Sequence, residues 1–441
     1  MKVYITTGMP HVDANIGESG RALLLLLREG DATSAPALSP QAWEATVALA
    51  LRQGVAPLLH RRLQAEGALA AVPASRAGRL DEERRATALL NLRNYGEFRR
   101  AARALRDAGI PVIALKGLHL AELVYGDISL RPMSDLDILV PRDRVERCIA
   151  VLRGLEYGYD EELGAAAAAM LDTKCNLGLA HATLGVWLEV HWMLDERHGE
   201  PTDPLPDVWK SAVAARLGDA ETQVMSPEFL LLHVCAHLAC NHSFSFSLRA
   251  LCDIAEIVRA TPALDWAAIA EHGARHYWKR GISAALRLAR DYLGVPVPAS
   301  VLAELGGDAL DPGMLADAMT QLLGATSLPD GLVTAPNLLA VSAEQNLRKK
   351  AALLWSRAFL PRAELALLYG VPADSPRLPL YHAVRLRDLL RRYAVGAWAL
   401  NAGDPALAEV AARHLRLRRW VSGAPAPDRG TGRSSPAPAG W

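Results

Sequence analysis

The chain has 441 residues, about half of them apolar, with 48 basic side chains against 48 acidic ones. That length suits two or three domains of ~150 residues with ample core, and the zero net charge gives no global argument for a nucleic-acid or membrane partner. Five cysteines without a CxxC pair suit a reduced, cytoplasmic protein, and no apolar run approaches the ~20 residues of a membrane span.

In chain order, residues 1–20 are Gly-rich and aperiodic and read as a disordered leader without a signal peptide's apolar core. An N-terminal helical region follows over 21–108. Ser39-Pro40 is a helix start, with serine as cap and proline in the first turn. The strongest helix carries Leu92, Tyr95, Phe98, Ala102 and Leu105 on one face and ends at Gly109. Residues 109–225 alternate: a buried strand over 110–115, a short helix over 118–125, a strand over 135–140, and a helix from Pro141 with Val145, Ile149 and Leu152 inward. Strands at 176–182 and 186–192, joined at Leu184-Gly185, read as an antiparallel hairpin. That order predicts a small α/β sheet with helices packed on it. From Ser226-Pro227 to 421 the chain reads as helices, near 227–241, 247–260, 264–275, 280–293, 314–324, 343–369, 377–400 and 405–420. Residues 422–441, rich in Pro, Ala, Gly and Ser, read as a disordered tail.

The chemistry concentrates on two strands. Successive strand side chains alternate in direction, so Asp135 and Asp137 share one face while Leu136, Ile138 and Val140 take the other. Two carboxylates on an apolar strand are costly unless something positive offsets them, and a hard divalent cation such as Mg²⁺ does so through oxygen ligands. Glu189, in Trp187-Leu-Glu-Val-His-Trp192, supplies a third acid, with His191 on its face. Lys116-Gly117, at a strand-to-helix turn, suits a phosphate. Metal plus phosphate suggests nucleotide chemistry. Arg131 fits either a second phosphate clamp or a surface arginine closing the turn at Pro132.

Other groups carry weaker signals. His233 and His237 lie four apart, as in zinc helices, with His242, Cys235 and Cys240 nearby. No Glu follows His233, however, and Cys240 sits in an apolar helix, so a structural or substrate-lining role for His237 is favoured. Arg249 and Asp253 are spaced for a helix-face ion pair. Arg413, Arg416, Arg418 and Arg419 read as a solvated basic face.

This arrangement resembles the nucleotidyltransferase superfamily with the DNA polymerase β-like fold, whose signature is a glycine turn, a helix, an Asp-x-Asp strand and a later strand with a third carboxylate. More narrowly, ALKGLHLAELVYGDISLRPMSDLDILV, LEVHW and LLLHVCAHLACNH…LRALCDI resemble a family of uncharacterised bacterial nucleotidyltransferases, over roughly residues 40–290. The resemblance implies an α+β fold: a small mixed sheet of the polymerase β-like type between helical N- and C-terminal regions. It implies transfer of a nucleoside monophosphate from an NTP such as ATP to an acceptor. Two Mg²⁺ ions, or Mn²⁺, would sit on Asp135, Asp137 and Glu189, with Gly117 as the turn glycine; the residues themselves add Lys116 as a point charge and Arg131 as a clamp on the nucleotide, with His191 and His237 towards the substrate. The superfamily usually has Gly-Ser where this chain has Lys116-Gly117-Leu118, and the gap from Gly117 to Asp135 is longer than usual. The acceptor, a small molecule, peptide or protein, is not written in the sequence. The alternative is a nucleotide-binding regulatory or interaction protein on the same fold without turnover.

Overall fold

The computed structural model describes residues 16–28, 38–158, 175–194, 206–245, 247–275, 279–324, scattered positions between 348 and 389, and 405–423. Residues 1–15 of the expected leader lie outside the described residues, as do 424–441 of the expected tail, most of the helix expected over 343–369 and residues 390–400 of the one expected over 377–400, whose residues 381–389 are helical. Ile16 is already buried, and helix α1 (Glu18–Leu27) begins ahead of Arg21. Helices α2 (Pro40–Arg52), α3 (Ala56–Ala65) and the long α4 (Ala74–Asp107) follow. Ser39 caps α2 by accepting from the Ala42 N–H at 3.1 Å, and Gly109, at φ +68°, closes α4.

The inward face of α4 differs from the expected one at a telling place. Tyr95, Phe98, Ala102 and Leu105 are buried, but Leu92 is 58% exposed. Asn91 and Asn94 turn inward instead. Asn91 Nδ2 donates to the Ile128 and Arg131 carbonyls at 2.6 and 2.8 Å, and Asn94 Nδ2 to the Met133 carbonyl at 3.1 Å. The irregular segment ahead of Asp135 brings backbone acceptors into the interior, and those must be paired; amides do this and leucine cannot.

Among the described residues seven strands form one mixed sheet: β1 (Ile113–Ala114), β2 (Asp135–Leu139), β3 (Tyr157–Gly158), β4 (Asn176–His181), β5 (Trp187–His191), β6 (Val213–Leu217) and β7 (Ala220–Val224), in the order β3-β4-β5-β2-β1-β7-β6. β4 and β5 form the expected hairpin, and β5 runs parallel to β2. The strand expected over 110–115 pairs only across Ile113–Ala114. The β6–β7 hairpin turns at Gly218-Asp219, both at positive φ. Only Leu217, Ala220 and Val224 are buried, at the strand ends, which gives no apolar alternation, so the sequence does not announce it.

The sheet lies between two cores. Leu136, Ile138, Leu177, Leu179, Leu188 and Val190 pack on one face with Phe98 and Leu105 of α4 and with Cys148, Ile149 and Leu152 of α5 (Val145–Arg153). The second core joins α1–α3 to the helices after residue 226, and Ile113 and Leu139 reach it from the other face of the sheet. Gln53 stitches this core: its Nε2 donates to the Leu322 and Leu323 carbonyls at 3.1 and 3.0 Å, and its Oε1 accepts from the Leu248 N–H at 2.6 Å. No helix among the described residues is long and apolar enough to cross a membrane.

Candidate active site

The carboxylates occupy the sheet face turned towards the helical core. Parallel pairing sets Asp135 opposite Trp187, Asp137 opposite Glu189 and Leu139 opposite His191. The alternate residues Leu136, Ile138, Leu188 and Val190 are at most 1% exposed, so a one-residue slip would turn the acids into the apolar core and four apolar side chains onto the polar face. Ligand atoms of Asp137, Glu189 and His191 all lie within 4.8 Å of one another. His191 Nε2 is 2.9 Å from Asp137 Oδ1 and 3.4 Å from Glu189 Oε2. Lys116 Nζ approaches the same Asp137 oxygen at 3.2 Å. Lys116 sits at φ +37°, a backbone state that costs a non-glycine residue roughly 1–3 kcal/mol. Asp135 shares the face but stands outside the tightest group; its Oδ1 accepts from the Ser134 hydroxyl at 3.2 Å.

Two residues unmarked by the sequence aim Glu189. Asn176 Nδ2 donates to its Oε2 at 3.1 Å and Trp187 Nε1 to its Oε1 at 3.4 Å. The indole lies over Gly178, where a Cβ would collide with it.

The charges settle unevenly. Burial works to raise the Asp137 carboxyl, but Lys116 and His191 hold it well below the usual carboxylate range. Burial and the neighbouring Asp137 push Asp135 up. The His191 hydrogen bond lowers Glu189. His191 itself is raised: burial opposes its charge, and its bonds to Asp137 and Glu189 outweigh that.

The facing wall is helical. Arg131, 7% exposed, is no surface residue. Its Nε and Nη2 donate to the two oxygens of Asp253, each at 2.9 Å, and the Tyr125 hydroxyl adds a bond at 2.8 Å. Asp253 belongs to the helix Leu248–Ala260, which also carries Arg249; Arg249 Nη1 donates to the Pro132 carbonyl at 2.9 Å. Gly117 lies so near Arg131 and Met133 that a Cβ there would crowd both, at 3.1 Å. Further along, His237 Nε2 meets His242 Nε2 at 3.1 Å, and His233 Nε2 is buried without a hydrogen-bond partner. Burial lowers all three imidazoles, His233 to about 3 and His242 to about 4, so they are neutral. Cys235 is wholly buried in the helical core. Among the described residues the only metal-type cluster is Asp137, Glu189 and His191, without the histidine–cysteine set. In the basic terminal helix, Arg416 pairs with Asp317 and Glu409 at 2.9 and 3.0 Å, and Arg413 with Asp317 at 3.6 Å, so two of its four arginines are tied down.

Both walls enclose one cavity of about 440 Å³, lined by Lys116, Gly117, Arg131, Asp135, Asp137, Glu189, His191 and the three histidines, among others. Its donor set fits a divalent cation: hard carboxylate oxygens and one imidazole converge, and the charges of Asp137, Glu189 and Asp135 all act on Lys116.

A family model described as an uncharacterised nucleotidyltransferase matches residues 39–294, a span that holds every cavity residue named above. Neither the curated proteins nor the solved structures contain a match to the chain.

Proposed function

Since the chain belongs to the family of uncharacterised nucleotidyltransferases, we propose that it moves a nucleoside monophosphate from an NTP to an acceptor, on a sheet of the polymerase β-like type. The observation that carries this reading is the in-register pair Asp137 and Glu189, set beside Lys116 in a polar cavity.

Asp135, Asp137 and Glu189, with His191 alongside, would hold Mg²⁺ or Mn²⁺. That cation would supply charge stabilisation to the attacking and leaving oxygens. Lys116 and the Nη1 side of Arg131 neutralise the triphosphate, and Gly117 keeps the turn beneath them open. The acceptor's nucleophile attacks the α-phosphorus, the bond to the bridging oxygen breaks, and pyrophosphate leaves. Glu189 takes the acceptor's proton. The neutral imidazoles of His233, His237 and His242 line the acceptor side, where they offer hydrogen bonds without competing for phosphate.

The test is incubation with each labelled NTP and Mg²⁺ across small-molecule, peptide and protein acceptors, reading pyrophosphate and label transfer. Release that vanishes in Asp137→Asn supports the reading. Nucleotide binding without release across the acceptors would favour a regulatory protein, and no nucleotide binding at all would overturn both.

A further inference from the structure

Resting on that reading, we propose that Lys116 is a resident cation of the metal position: its ammonium stands on Asp137 until a divalent ion takes that carboxylate, and then passes to the nucleotide's phosphates. Three observations carry this. First, Lys116 Nζ lies 3.2 Å from Asp137 Oδ1, the same oxygen that His191 Nε2 approaches at 2.9 Å. An ion shared by Asp137 and Glu189 needs that ground, because the donor atoms of both acids and of His191 converge within 4.8 Å.

Second, the chemistry of the contact permits exchange. An ammonium is a compact point charge on a flexible stem, whereas a guanidinium grips a carboxylate through a planar fork. The cavity holds both kinds. Arg131 forks Asp253 with two bonds of 2.9 Å, while Lys116 makes one longer contact to Asp137. Third, Lys116 lines the cavity together with Gly117 and Arg131, so phosphates bound there are within reach of the same ammonium.

The exchange moves charges only; no covalent bond changes. A metal ion arriving alone must displace the ammonium and offers it nothing in return. A metal ion arriving with a triphosphate supplies the ammonium with a new anion. The site therefore resists metal alone and accepts the pair.

The experiment titrates the full chain with Mn²⁺ alone, reading free Mn²⁺ by its paramagnetic resonance signal, and separately with tripolyphosphate alone by calorimetry. Lys116→Met should bind Mn²⁺ about tenfold or more tightly than wild type, because an opposite charge within ~4–6 Å changes a carboxylate's affinity for a competing cation by at least that factor. The same variant should bind tripolyphosphate more weakly. Lys116→Arg, which keeps the charge and grips the carboxylate harder, should bind Mn²⁺ no more tightly than wild type. Lys116→Gln repeats the neutralisation should the methionine variant fail to fold. If neutralisation leaves Mn²⁺ affinity unchanged or lower while Asp137→Asn abolishes it, the metal site stands and the resident cation is overturned. If Asp137→Asn leaves Mn²⁺ binding intact, the metal reading fails and this proposal falls with it.

Discussion

Two buried aspartates face one another across the cavity, and they are held in opposite ways. Asp253, on the helical wall, is locked by both arms of Arg131 and by the Tyr125 hydroxyl. Asp137, on the sheet wall, is 4% exposed, yet its partners are a single lysine nitrogen and a single imidazole nitrogen. The first arrangement is rigid and satisfies both carboxylate oxygens. The second concentrates positive charge on one oxygen through partners that can move. Burial alone does not distinguish a structural carboxylate from a working one; the geometry and exchangeability of its partners do.

That contrast can be broken or sharpened by substitution. The largest effect is expected at Asp137: Asn there should cut nucleotidyl transfer by about 10²–10³-fold or more while the chain stays folded by circular dichroism. Asp253→Ala should act mainly on stability. It leaves the Arg131 charge buried without its partner, which costs about 3–5 kcal/mol and is measurable by urea unfolding. If Asp253→Ala spared stability and abolished only activity, the two walls would not differ as argued.

Lys116→Ala should weaken NTP affinity by about tenfold, from loss of one phosphate contact, with acceptor affinity unchanged; calorimetry checks this. Glu256 gives a pH test of the rigid wall. It accepts from Arg61, Arg62 and Arg259 at 2.7–2.8 Å. Burial works to raise its carboxyl, but those arginines outweigh it and lower it. A depressed folded value means the stabilisation is whole above the unfolded pKa of about 4.3 and is lost as pH falls towards the lower folded value. Glu256→Gln should flatten this acid limb of stability, seen in melts between about pH 3 and 6. The smallest effect is expected at Gly178. Alanine there should push the Trp187 indole aside, loosen Glu189 and slow transfer several-fold without changing the melting temperature.

Local chemistry was legible in the sequence. Alternation at Leu136, Ile138, Leu188 and Val190 set the phase of both acidic strands, and Ser39-Pro40 and Gly109 marked helix ends. Partnerships across long separations were not. Arg131 and Asp253 lie 122 positions apart, whereas helical spacing alone pointed to Arg249, four residues from Asp253, which also feels that carboxylate's charge. The inward turn of Asn91 and Asn94 was hidden because their acceptors belong to a segment with no periodic pattern. The β6–β7 hairpin was missed because its buried residues, Leu217, Ala220 and Val224, sit only at strand ends and make no apolar rhythm. Amphipathic periodicity shows that α1–α3 have a buried face; it does not say that helices beyond residue 226 cover it.

The core shared by both ends of the described fold has a consequence for synthesis. The Arg28 guanidinium meets the Asp291 carbonyl, and Gln53 waits for Leu322 and Leu323. A ribosome adding ~5–20 residues per second needs on the order of 10–50 s to travel from the end of α3 to the end of the helix at Leu293. Throughout that interval the leucine-rich faces of α1–α3 are made but uncovered, while the sheet between them and their partners is emerging. The nascent chain thus presents a sticky N-terminal segment early and sequesters it late, so holdase chaperones should bind nascent chains stalled before residue 293 more strongly than those stalled beyond residue 324.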